Sequence, residues 1–286
     1  MSLRLQVSLN GARGAAEGAA VPLSPGDLAE SALGAVAAGA VEVLVHPRTP
    51  CGRESLSPRV VGPLLEALRG AGVSVPLSVC AGIAAEPDPA GRLERVRSWR
   101  VLPDRAAVHF AEPGAAELAR VLLARGVAVD AVVALSGAPE EGAMAATGCA
   151  SGAAGSGAAG SGAAGFGALA RFLASRVPES AGRARVRPAV ELAVVPAAAG
   201  PAVVAGLVAA LRRPAVGPLL LYGREAAAWP VLRLAVRWGA DARIGLGDVL
   251  RLPDGRPAGS NAALVAAAHE VVGAGAGTTG GGAFRW

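Results

Sequence analysis

Polar and apolar residues alternate from Arg4 to Leu9, as in a half-buried strand, and the run ends at Asn10-Gly11-Ala12. Ser24-Pro25-Gly26-Asp27 then carries a capping box with proline at the first helical position, ahead of an apolar face of Leu28, Ala32, Ala35 and Val36. The same alternation of elements repeats along the chain. Strands are predicted at Val41–Val45, Val75–Cys80, Ala106–Phe110 and Val127–Leu135. Helices are predicted behind them: one opened by Ser57-Pro58 with Val61, Leu64, Leu65 and Leu68 on one face, one around Ala90–Trp99, and one from Pro113 closed by Gly126.

The rhythm breaks at Gly142–Gly167, which is nearly all glycine, alanine and serine, with Gly-Ala-Ala-Gly-Ser recurring. Such a segment buries too little apolar surface to offset its ordering entropy, so a disordered insertion is expected there. As a flexible coil of ~25 residues it would span roughly 25–30 Å. A linker between two domains is the alternative, but the rhythm resumes afterwards. A short helix at Ala168–Ser175, a strand at Ala189–Val195, a helix at Pro201–Leu211 and a strand at Val216–Leu221 follow. Tyr222-Gly223-Arg224 comes next, then a helix marked by Trp229, Leu232 and Val236.

The last unit is the most informative. A short apolar run, Ala242, Ile244 and Leu246, ends at Asp248, and Pro253-Asp254-Gly255 makes a tight turn. Ser260 or Asn261 caps a helix with Leu264, Ala267, Ala268 and Val271 on one face. Eight strands alternating with helices predict a parallel α/β sheet, and a chain of 286 residues suits a closed single-domain barrel. The expected domain is 1–272, with the insertion at 142–167 and a Gly-rich tail at 273–286. In such a fold the loops after the strands carry the chemistry.

Composition narrows the function classes. All 27 basic residues are arginine, so lysine Schiff-base and pyridoxal-phosphate chemistry and a Walker phosphate loop are excluded unless a partner supplies the amine. Only 3% of residues are aromatic, which leaves a core of Ala, Val and Leu. The net charge of +5 is dispersed, without a basic run interleaved with aromatics, so nucleic-acid binding is not expected. The first strand–helix turn, Gly11-Ala12-Arg13-Gly14, lacks a dinucleotide fingerprint. No unbroken apolar stretch of ~18 residues predicts a membrane span, and no signal peptide is seen. Three scattered cysteines, Cys51, Cys80 and Cys149, fit free thiols in a reducing cytoplasm.

The run from Arg243 to Val265, with Gly-Leu-Gly-Asp and Leu-Pro-Asp-Gly, resembles the last unit of the β-keto acid cleavage enzymes, a (β/α)₈ family. Further points of resemblance are Leu9-Asn10-Gly11-Ala12, His46-Pro47-Arg48, Gly52-Arg53-Glu54-Ser55-Leu56, Trp99, Glu112-Pro113-Gly114 and Ala228-Trp229-Pro230-Val231. The resemblance implies condensation of a β-keto acid with acetyl-CoA, releasing acetoacetate and a new CoA thioester, with a divalent metal, usually zinc, polarising the keto acid. It implies a small-molecule substrate, no nucleic acid or membrane partner, and a homo-oligomer.

The resemblance also assigns residues. Asp248 and Arg243 would make the substrate nucleophilic. His46 would be a metal ligand. Its companions are replaced: Leu44 stands where the family has a first histidine and Gly247 where it has glutamate. Cys80-Ala81-Gly82 replaces a Ser/Thr-Thr-Gly segment, and Val129-Asp130-Ala131-Val132 resembles the family's Val-Glu-Ala-Gly. The residues therefore also admit a catalytically impaired copy or a ligand-binding barrel. Asp248 can be a structural anion for Arg243, and His46 a hydrogen-bonded loop histidine. His109 can be a relocated ligand beside His46 and Asp248. Cys80 can be packing or substrate contact. Asn10 and Gly82 are candidate substrate contacts. Arg48 and Arg224 stand at strand ends where a carboxylate or CoA phosphate could dock, or where a guanidinium is simply solvated.

Overall fold

The computed structural model describes residues 3–18, 20–135, 161–177, 185–192 and 218–276. Eight parallel strands close into a barrel in chain order: β1 Leu5–Ser8, β2 Glu42–Val45, β3 Leu77–Cys80, β4 Arg105–His109, β5 Ala128–Leu135, β6 Val186–Leu192, β7 Leu220–Gly223 and β8 Asp241–Ile244. β8 returns to β1 with Gln6 opposite Arg243, which closes the ring. The α/β single-barrel expectation holds.

The helices among the described residues are α1 Pro25–Ala37, α2 Pro58–Gly70, α3 Pro89–Ser98, α4 Ala115–Ala124, α5 Ser161–Ala174, α6 Ala228–Arg237 and α7 Asn261–Ala276. The box at Ser24 forms as read: its hydroxyl accepts from the Asp27 amide at 3.1 Å and the Asp27 carboxylate accepts from the Ser24 amide at 3.2 Å. Ser260 caps α7 by accepting from the Ala263 amide at 3.1 Å.

Several boundaries differ from expectation, three of them with a physical reason. Helix α5 begins at Ser161, inside the Gly/Ala/Ser segment; alanine is the strongest helix former and carries the turns back into it. The rest of that insertion, and the helix expected at Pro201–Leu211, lie outside the described residues. Strand β6 begins at Val186 and so includes Arg187 and Pro188, which argue against a strand when read locally. Helix α7 runs through Gly273 to Ala276, four residues into the expected tail.

Alternation along each strand sorts its side chains into an outer and an inner set. The outer set, including Val7, Val43, Val79, Val108, Ala131 and Ile244, packs with the buried faces of the helices into the main core. The inner set is layered. At the N-terminal ends of the strands lies a charged floor. Arg187 donates to Asp130 at 2.8 Å through both Nε and Nη2, to Glu42 at 2.7 Å and to Asp241 at 3.3 Å. Arg105 adds a bond to Asp130 at 3.1 Å. Above the floor, Leu44, Cys80, Ala107, Val132, Ala189, Leu220 and Tyr222 form an inner apolar plug. The mouth opens above that plug.

This layering corrects one reading. Asp130, which the resemblance sets against the family's Val-Glu-Ala-Gly segment among the site replacements, is buried in the floor and committed to Arg187 and Arg105.

Candidate active site

The C-terminal strand ends surround a cleft whose free space, open solvent included, is about 620 Å³. Its wall includes Ser8, His46, Glu54, Cys80, Gly82, His109, Glu191, Tyr222, Arg224, Arg243 and Asp248.

One side is a fixed ion pair. Arg243 Nη2 donates to Asp248 Oδ1 at 2.7 Å and Nε to Oδ2 at 3.1 Å, and both residues are buried. The guanidinium carbon lies 3.3 Å from the centroid of the Tyr222 ring, so a cation–π contact holds its face while the carboxylate holds its edge. Tyr222 in turn donates its hydroxyl to Glu191 Oε2 at 2.9 Å. Burial disfavours charge on Arg243, but Asp248 and its other neighbours outweigh that and raise its pKa above the usual guanidinium value. Burial is also the main reason that the Tyr222 hydroxyl is raised well above its ordinary range.

The opposite side is a sulfur between imidazoles. Cys80 ends β3 and His109 ends β4, and the thiol lies 3.9 Å from His109 Nε2. His46, just past β2, faces the same sulfur and places Nδ1 3.3 Å from Glu54 Oε2. Burial pushes the Cys80 thiol up, yet the two histidines reverse this and leave it at about 6. Burial pulls His46 down, yet Cys80 and Glu54 lift it to about 10. His109 is raised as well, its burial offset first by Cys80. Glu54 is lowered: His46 and Arg48 overcome the cost of its burial.

The other expected residues take supporting positions. Asn10 is fully buried and clamps the His46 backbone, accepting from its amide at 2.9 Å and donating to its carbonyl at 3.0 Å. Arg48 donates to the carbonyls of Gly52 at 2.7 Å and Gly11 at 2.9 Å, so its guanidinium pins two mouth loops together. Gly82 lines the cleft beside Cys80, and Arg224 stands half-buried on its rim. The sequence shows Glu54 only within a motif, Glu191 only inside the strand expected at Ala189–Val195, and Tyr222 only just past the strand expected at Val216–Leu221. Glu191 and Tyr222 carry a positional signal, each one residue before its strand's C-terminal end, whereas Glu54 lies in the loop between β2 and α2.

The metal site implied by resemblance does not fit these side chains. Leu44 is 2% exposed and packed in the inner plug. Gly247 has no room for a side chain, since a Cβ there would stand 2.3 Å from Ser8 Oγ and 2.7 Å from the Gly11 nitrogen. Asp248 is paired with Arg243 through both carboxylate oxygens, and it forms no metal-holding set with His46 and His109. Among the described residues no group of three or more His, Cys, Asp and Glu side chains is arranged to hold a metal ion.

A parallel barrel with charged groups gathered at its C-terminal mouth belongs to the enzyme-bearing (β/α)₈ class. The profile of the beta-keto acid cleavage enzyme family matches residues 3–134 and 183–277, so the chain belongs to that family. No curated protein matches it in sequence. Among solved structures, the ternary complex of ObcA with a C4-CoA adduct and oxalate is similar at 13% identity and a TM-score of 0.59, over 90% of this chain and 64% of that one. The chain thus spans under two thirds of ObcA. A type I 3-dehydroquinate dehydratase from Clostridium difficile is similar at 12% identity and a TM-score of 0.57, over 96% of this chain and 93% of that one. At these identities the likeness concerns the fold.

Proposed function

We propose that this chain cleaves a β-keto acid with acetyl-CoA as co-substrate, releasing acetoacetate and a new CoA thioester. The Arg243–Asp248 pair supports this reading most directly. A carboxylate oxygen has two acceptor sites, and Arg243 takes one on each oxygen of Asp248. The remaining lone pairs stay available to accept a proton from the acidic carbon between the keto and carboxylate groups of a substrate in the cleft. Arg243 fixes the orientation of that base. The negative charge that develops on the substrate faces His46, whose pKa of about 10 keeps it cationic at neutral pH. The complex of ObcA with a C4-CoA adduct agrees in chemical class.

The test is turnover of a panel of β-keto acids with acetyl-CoA, reading acetoacetate and the new thioester. Asp248→Asn keeps the shape and removes the base, so kcat should fall on the order of 10²–10⁴-fold. A folded protein that binds these acids without converting any of them would overturn the enzymatic reading in favour of a ligand-binding barrel.

A further inference from the structure

The reaction above leaves the cysteine of the mouth without a role. Cys80 belongs by its backbone to the inner plug, with Leu44 and Ala107 among its apolar neighbours. A cysteine that only packs needs nothing more. Its sulfur, however, is set against imidazoles: His109 Nε2 lies 3.9 Å away, and His46 faces it while held by Glu54 at 3.3 Å. All four residues line the open cleft.

Gly82 stands beside the sulfur in the cleft wall. A Cβ at Gly82 would stand 3.6 Å from Cys80 Sγ and 3.7 Å from the His109 ring, so any side chain there would begin in contact with both. The backbone at Gly82 does not have a positive φ, so glycine is not required there by conformation. Cys51, by contrast, is exposed on a loop and hydrogen-bonded to Thr49.

From this cluster we infer that Cys80 is an acyl acceptor, taking an acyl group from a thioester bound in the mouth. The thiol proton rests on His109 across the 3.9 Å contact, and the sulfur attacks the thioester carbonyl as the thiolate. A new carbon–sulfur bond forms to Cys80, the bond to the departing thiol breaks, and that thiol leaves with the proton from His109. One thioester is exchanged for another, so no oxidant or further reactant is needed. The choice of a CoA thioester as donor rests on the function proposed above; the nucleophilic placement of Cys80 rests on the geometry alone.

The experiment uses the full chain carrying Cys51→Ser and Cys149→Ser, so that Cys80 is the remaining thiol. It is incubated with acetyl-CoA, and the protein mass and peptides are read. The expected result is one acetyl group on Cys80, absent in Cys80→Ala. His109→Asn should slow its formation on the order of 10²-fold. Gly82→Val, which leaves the thiol and both histidines in place, should slow acetylation and iodoacetamide labelling alike. Iodoacetamide labelling of Cys80 without any acetyl transfer would overturn the acyl-acceptor role. So would unchanged β-keto acid turnover in Cys80→Ala, and that result would leave the proposed function standing. Acetylation of Cys80 without β-keto acid turnover would support the cysteine and sink the proposed function.

Discussion

At Gly247, the smallest side chain is already too large. Ser8 Oγ and the Gly11 nitrogen occupy the places a Cβ and its substituents would need, and Gly247 also donates its amide to Ser8 at 3.0 Å. Gly11 makes this approach possible by adopting a φ of +56°, a conformation that favours glycine. Two mouth loops therefore meet backbone to backbone where the family's glutamate would project. Gly247→Glu should destabilise the protein by about 1–3 kcal/mol through overpacking, and zinc should not raise the melting temperature of the variant. Adding Leu44→His places a polar ring in the apolar plug and should lower stability further. A zinc-dependent rise in melting temperature of the folded double variant would show that the loops part and the donors converge. The sequence alone shows that Leu44 and Gly247 are not ligands. It cannot show that the space is closed, because Gly11 and Gly247 are joined only by closure of the barrel.

Whole elements were more legible than their contents. The caps at Ser24, Ser57 and Ser260 announce helices because their hydroxyls meet amides only a few residues away. β6 was placed late because its partners are remote: Arg187 reads as a loop residue until Glu42 and Asp130 are set beside it. The Cys80–His109 pair was hidden for the same reason, its members lying 29 positions apart on neighbouring strands. Asn261 shows how one residue can carry both kinds of signal. It begins α7 as read, yet its side chain is fully buried and reaches across the barrel's top. It accepts from the Leu246 amide at 2.8 Å and donates to the Leu9 carbonyl at 2.9 Å and Ser31 Oγ at 3.0 Å. Those bonds tie the ends of β8 and β1 to α1. Asn261→Ala improves local helix propensity, so any loss must be tertiary. Three bonds at about 1 kcal/mol each predict a loss of about 3 kcal/mol in denaturant unfolding. A variant as stable as the parent would mean that water replaces the asparagine at no cost.

Across the whole molecule, the barrel interior separates what holds it closed from what acts. The floor gathers Arg105 and Arg187 with Glu42, Asp130 and Asp241, drawn from five strands. The plug of Leu44, Ala107, Val132, Ala189 and Leu220 lies between that floor and the mouth. Arg187 is the centre of the floor, bonded to three carboxylates. Arg187→Met keeps much of the side chain's length and removes the charge, leaving Glu42 and Asp130 to share Arg105. Removing one partner of a buried ion pair typically costs about 3–5 kcal/mol, and Arg105 should hold the loss to the lower end. Adding Glu42→Gln removes one of the two carboxylates left to share Arg105, the one at 3.6 Å from it, and should recover part of the loss. The mouth residues touch none of these groups, so turnover by the folded fraction of either variant should match the parent. Unfolding in denaturant measured alongside initial rates decides it: a fall in kcat at unchanged stability would show that the floor sets the geometry of Arg243 and Asp248 rather than only closing the ring.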